Sequence, residues 1–223
     1  MTAQPKRAMT AARRRMREAA IRLFAEKGST QVSMSELAQA AGVARGTAHN
    51  NLESPDAFFR EIASELADEM NDRITISSET VTDPARRLAL AIRFYIRRAH
   101  EEPDWGRFLL RFAISEQALQ AFWLGQPVQD LANGLESGTF RFKPDQIPSA
   151  IGFIAGSVLS AILLVLDGHK TWRDAGQDAV EFALRAIGVA DGAARDMAMS
   201  DLPPLAELNP PPARPRKGAA VIG

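Results

Sequence analysis

The sequence predicts an all-α protein, with three short helices in a helix-turn-helix arrangement at the N-terminus and a larger helical domain after them. Three observations carry that expectation. Apolar residues recur at helical spacing, with no strand-rich stretch or internal repeat. Glycine, proline and capping residues fall where helices would stop and start. The charge is also unevenly divided: the net charge is zero, yet residues 1–55 hold nine bases against four acids, leaving 18 bases and 23 acids for the rest. A basic end on an acidic body suits a chain that presents one end to a polyanion.

The elements follow in order. Met16, Ala19, Ala20, Leu23 and Phe24 form one apolar stripe on a helix that ends at Gly28. Ser33 and Glu36 have capping-box spacing and open a short helix over 34–41, stopped by Gly42. Val43 and Ala44 turn the chain into a second short helix over 45–52. Ser54, Pro55 and Asp56 then mark a fresh start: a cap, a proline at the first helical position and an acid near the positive end of the dipole. Asp83 and Pro84 open a helix to about 102, where Pro103 interrupts. Helices over 104–115 and 115–135 follow, then a loop through Gly138 with a brief extended stretch at 139–143. Helices over 145–166, 172–187 and 191–199 complete the reading. The domains are expected at 1–53, 54–200 and 201–223, the last a disordered tail with six prolines.

Composition excludes several classes of chemistry. Without cysteine there is no disulfide framework, thiolate metal site or cysteine nucleophile. The first 17 residues are polar and carry six bases, so no secretory signal is read there and a cytoplasmic protein is expected. Residues 149–166 contain no charge and approach the length of a membrane span. Their glycines and serines, and the lack of a second such segment, favour a helix buried by core and subunit interface together. Gly152, Gly156 and Ser160 lie four apart on one face, where a partner helix can approach closely. With Leu163 and with Phe182 on the next helix they form the expected homodimer interface. His49, His100 and His169 have no metal-ligand spacing, and no nucleophile or phosphate-loop motif accompanies them, so no enzyme, metal or cofactor is expected.

The first domain is the most informative. A helix-turn-helix needs a glycine where its first helix ends, a small residue where the helices cross, and apolar residues that lock the second onto the first. Gly42, Ala38, Leu37, Val43 and Ala48 fill those places. With Val43 and Ala48 inward, Arg45, Thr47, His49 and Asn50 face outward, and these side chains hydrogen-bond phosphates and base edges. The run RRRMREAAIRLFAEKGSTQVSMSELAQAAGVARGTAHNNLESPDAFF, residues 13–59, closely resembles the N-terminal domain of the tetracycline-repressor (TetR) family of bacterial regulators.

That resemblance implies a homodimer joined by its last two long helices, a variable small-molecule pocket in the C-terminal domain, and usually repression. Position by position, it implies that Arg45 reads bases and that Thr47 contacts phosphate. His49 stands where tyrosine is frequent, Leu52 where an aromatic is frequent, and Pro55 where a lysine touches the DNA backbone. Arg13, Arg14 and Arg15 are the candidates to replace the lost phosphate contacts. Arg13, Arg14, Ser33, Met34, Arg45, Gly46, Thr47, His49 and Asn50 make up the expected DNA-contacting set.

For sensing, the aromatic residues Phe94, Tyr95, Trp105, Phe108, Phe112, Phe122, Trp123 and Phe153 are the nominations. Phe94, Phe108, Phe112, Phe122 and Phe153 are taken as the pocket. The expected partners are thus a double-stranded DNA operator, an unknown small-molecule effector and a second copy of the chain, with no membrane. The alternative is a helical ligand- or protein-binding module of TetR-like shape with weak or lost operator binding.

Overall fold

The computed structural model describes residues 11–28, 31–113 and 125–208, and every regular element among them is helical. Helix α1, Ala11–Lys27, buries Met16, Ala19, Ala20 and Phe24. It closes at Gly28, whose φ of 62° is one that side chains resist and whose N–H reaches Phe24 O at 2.9 Å. Helix α2, Met34–Ala40, carries the full capping box between Ser33 and Glu36. Gly42, at φ 61°, turns the chain into α3, Arg45–Asn51.

Helix α4, Pro55–Ser77, starts under the Ser54 cap, whose Oγ accepts from the N–H of Ala57 at 3.1 Å. Its stripe from Phe58 to Ile74 serves both domains. Helix α5, Pro84–Glu101, is capped by Asp83 and is the central strut of the larger domain, with α4 and five later helices packed against it once the chain returns. Proline at 103 lacks the N–H that would continue α5, so one residue, Glu102, separates it from α6, Pro103–Phe112. After residue 125 come α7, Gln126–Glu136, a 3₁₀ turn at Pro144–Gln146, α8, Ile147–Leu166, α9, Trp172–Ala186, and α10, Asp191–Met199. Most of the helix expected over 115–135 lies outside the described residues, as do Phe122 and Trp123.

The two domains are joined by an aromatic cluster. Phe24 of α1 meets Phe59 of α4 at 5.1 Å between ring centres, and Phe59 meets Phe108 and Phe112 of α6 at 5.5 and 4.9 Å. All four rings are at most 3% exposed. Burying one such side chain contributes roughly 1.5–3 kcal/mol, whereas an exposed ion pair contributes about 0.2–1 kcal/mol, so the joint is held mainly by these rings.

Two expectations need correction. The stretch 139–143 is not extended strand. Instead Phe140 lies over Gly134, where a Cβ would stand 2.0 Å from its ring, and the N–H of Arg141 donates to Ile187 O at 2.8 Å. Side-chain packing and two isolated backbone bonds, this one and the one from the N–H of Phe140 to Gly134 O at 2.9 Å, thus replace a ladder. The tail is also anchored through its first eight residues: Leu202 and Leu205 pack on the core, Arg73 Nε donates to Ala206 O at 2.8 Å, and the N–H of Ala206 donates to Ser77 Oγ at 2.8 Å. This strap crosses α4.

Candidate nucleic-acid interface

The helix-turn-helix is locked by burial. Leu37 and Ala48 are fully buried, Ala38 is 3% exposed, and Leu52 closes the base of α3. With Ala48 inward, α3 presents Arg45, Gly46, His49 and Asn50 to solvent and leaves Thr47 half-buried. Asn51 is turned away from that face, its Nδ2 donating to Thr47 O at 2.7 Å. Arg14 and Arg15 of α1 are exposed and make no ion pair among the described residues.

Three members of the expected set are placed otherwise. Arg13 is engaged within the chain: it pairs with Glu61 of α4, donates through Nη1 to Asn51 O at 3.0 Å, and lies 6.0 Å from the centre of the Phe58 ring. It ties α1, α3 and α4 together. Met34 is 8% exposed and belongs to the core. Ser33 is exposed, but its hydroxyl is spent on the cap, accepting from the N–H of Glu36 and donating to its carboxylate. Glu36 also pairs with Lys27 of α1. That Lys27 hydrogen bond, followed by those from Ser33, holds the Glu36 carboxyl at a pKa of about 2.

In the larger domain, Phe94, Phe108 and Phe112 are buried. Phe153 is 48% exposed and faces away from the interior, which corrects its nomination as a pocket residue. A small, partly open apolar pocket lies between α5, α7 and α8, about 30 Å³ in volume, lined by Leu88, Ile92, Tyr95, Ile151, Ile154 and Val158 among others. Burial pushes the Tyr95 hydroxyl well above its ordinary pKa, so it stays neutral. Sequence could not separate this void from core, because the same residue types build both.

The outward face of α8 carries Gly152, Phe153, Gly156, Ser160 and Leu163, all exposed, and α9 adds Phe182 at 60% exposure. A Cβ placed on Gly152 or Gly156 meets nothing within 4 Å. The helix expected to be apolar on every side thus buries one side in its own chain and leaves the other uncovered.

Comparison with known proteins agrees with this architecture. Residues 17–62 match the family described as "Bacterial regulatory proteins, tetR family", and residues 83–200, more than half of the chain, match "Tetracyclin repressor-like, C-terminal domain". The chain belongs to the TetR family. It is a transcriptional regulator with a DNA-binding helix-turn-helix, as the family is, and not an enzyme. Among solved TetR-family structures, RolR in complex with resorcinol is 25% identical with a TM-score of 0.67, over 87% of this chain and 96% of RolR. A regulator from Shewanella sp. PV-4 is 22% identical with a TM-score of 0.70, over 81% of this chain and all of that one, and carries the fold alone. An uncharacterised HTH-type transcriptional regulator of Mycobacterium tuberculosis is 28% identical over 89 residues, 40% of this chain. The chain spans 44% of the length of that curated relative.

Within the TetR frame, the three departures are structurally satisfied. Leu52 is 6% exposed and packs, Pro55 opens α4, and His49 stays on the exposed face. A charge network joining α1, α4 and α5 is one that sequence reasoning missed. Glu69 of α4 accepts from Arg98 of α5 at 2.9 Å, from Arg17 of α1 at 3.4 Å and from Arg73 at 3.4 Å. Arg98 is 3% exposed, rests 4.6 Å from the centre of the Trp105 ring, and is shared with Glu102. Its partners lie far apart in the chain, so no local pattern announces it.

Proposed function

We propose that this TetR-family regulator binds a two-fold symmetric operator as a homodimer, represses from it in the cytoplasm, and leaves it when a small molecule enters the C-terminal domain. The observation that carries this reading is α3, which buries Ala48 and displays Arg45, Gly46, His49 and Asn50 on a continuous outer face. Arg45 reads base edges, because its planar head can donate twice to one guanine. Thr47 and His49, with Arg14 and Arg15, hold the backbone. The uncovered faces of α8 and α9 join the two copies and set the spacing of the reading heads, which must be roughly 34–36 Å or a multiple for successive major grooves.

RolR, which shares this fold, is solved with resorcinol, and the apolar lining around Tyr95 favours a small, largely apolar effector here as well. A void of about 30 Å³ is too small for such a molecule without movement of α5, α7 or α8. Effector entry therefore shifts these helices, and α4 transmits the shift. By linkage, DNA weakens effector binding by the same factor as effector weakens DNA binding. Titrating the full-length protein against DNA flanking its own gene and against random duplex tests the reading. Specific affinity at least 10³-fold above random is expected. Equal affinity for both would instead mark a TetR-shaped module that has lost its operator.

A further inference from the structure

An open cleft of about 610 Å³ lies where α5, α9 and the chain leaving α10 meet, separate from the apolar void. Arg93 and Arg97 of α5 and Arg173 of α9 line it, together with Glu101 and Asp201. Glu101 is already engaged by Arg97 at 2.7 Å. Arg97 and Arg173 each lie near the indole of Trp172, 5.6 and 4.5 Å from its ring centre, which fixes their heads at the cleft.

Arg93 decides what the cleft can hold. It is only 7% exposed, and its stem lies against Gly176, where a Cβ would be 3.5 Å away. Nη1 donates to Ser200 O at 2.6 Å and reaches Ser200 Oγ at 3.5 Å, while Nε and Nη2 make no hydrogen bond among the described residues. No buried side-chain nitrogen among those residues is both shut off from solvent and unpartnered, so these donors open onto the cleft. No carboxylate stands within ion-pair distance of Arg93 among the described residues; Asp201 acts on it only from farther away. Burial lowers its pKa, and Asp201 offsets part of that. A guanidinium that has lost most of its water and keeps unmet donors is stabilised by a planar oxyanion that accepts two of them. Trp172 and the 62%-exposed Met199 supply an apolar wall beside it.

We propose that this cleft binds a small organic carboxylate, its oxyanion held by Arg93 and Arg173 and its apolar body lying along Trp172 and Met199. The floor of the cleft, Ser200 and Asp201, begins the strap whose Ala206 is bonded to Arg73 and Ser77 of α4. Occupancy thus bears on the helix that carries the reading head, by a route distinct from the apolar void.

Isothermal titration of the full-length protein with benzoate, hexanoate and inorganic phosphate tests it without DNA, so its failure leaves the operator reading untouched. One benzoate or hexanoate per chain is expected, bound more tightly than phosphate. Affinity should fall at least ten-fold in Arg93→Met and several-fold in Arg173→Ala. It should be unchanged in Arg107→Ala, which alters only the exposed pair with Asp104. If Arg93→Met does not fold, Arg173→Ala and Trp172→Ala decide, since both alter the rim of the cleft. Absence of saturable binding by either carboxylate, binding that survives Arg173→Ala and Trp172→Ala intact, or phosphate binding as tight as both carboxylates would overturn the assignment.

Discussion

Arg45 and Arg13 show what a residue's type says about its role and what only its neighbours say. Both are arginines in the basic first quarter, and both were natural candidates for DNA. Arg45 stands clear on α3, whereas Arg13 is engaged by Glu61 and Asn51. Burial of Ala48 at the crossing made the outer face of α3 legible from its spacing; nothing local reveals a partner 48 positions away. Arg45→Ala should cost about 1–3 kcal/mol at the operator and relax preference at one base pair per half-site. Arg14→Ala should weaken all duplexes alike and flatten the salt dependence, which parallel titrations at two salt concentrations will separate. Glu36 gives a pH prediction. Its carboxyl is lowered from 4.5 to about 2 by Lys27 and Ser33, so its contribution is complete above about pH 4.5 and is lost as pH falls through about 2. Melting of Glu36→Gln against the parent should show a deficit at pH 6 that shrinks at pH 3; a constant deficit would mean that the cap, not the charge, matters.

At the scale of elements, starts and stops were readable because caps are local chemistry. Ser33 with Glu36, Ser54 with Pro55, and Asp83 with Pro84 open helices where the sequence indicates. The stretch at 139–143 was not readable, since Phe140 finds its place by lying over Gly134 and bonding its carbonyl, not by pairing strands in a ladder. Helix α8 was readable as apolar with one side for the core and one carrying Gly152, Gly156 and Ser160, because its small residues repeat at helical spacing. Its uncovered glycines allow a test of dimerisation that leaves the monomer intact. A Cβ at Gly156 meets nothing beyond its own helix within 4 Å, so Gly156→Leu should raise helix stability by about 0.5–1 kcal/mol, while a packed dimer is overfilled by about 1–3 kcal/mol per site. Sedimentation should show a dimer for the parent and a shift to monomer for the variant. A parent that remains monomeric at micromolar concentration would refute the interface.

At the scale of the whole molecule, the uneven charge correctly marked the end that carries the DNA-binding helix-turn-helix, but the contacts between the two ends were invisible to sequence. They are made by residues brought together only by the fold, namely the rings of Phe24, Phe59, Phe108 and Phe112, and the Glu69 carboxylate shared by Arg17, Arg73 and Arg98, and the proposed effector response would pass through them. Glu69→Gln leaves those cations with a weaker acceptor. It should lower stability by roughly 1.5–3 kcal/mol in urea unfolding and reduce the effect of an effector on DNA affinity. An unchanged response would place the coupling in the rings alone. The dimeric reading-head arrangement itself is best tested by selecting bound duplexes from a random DNA library with the full-length protein. Enrichment of a two-fold symmetric site, with half-site centres about 10 base pairs or a multiple apart and lost in Arg45→Ala, is expected. Enrichment of a single asymmetric half-site, or of no sequence at all, would contradict it.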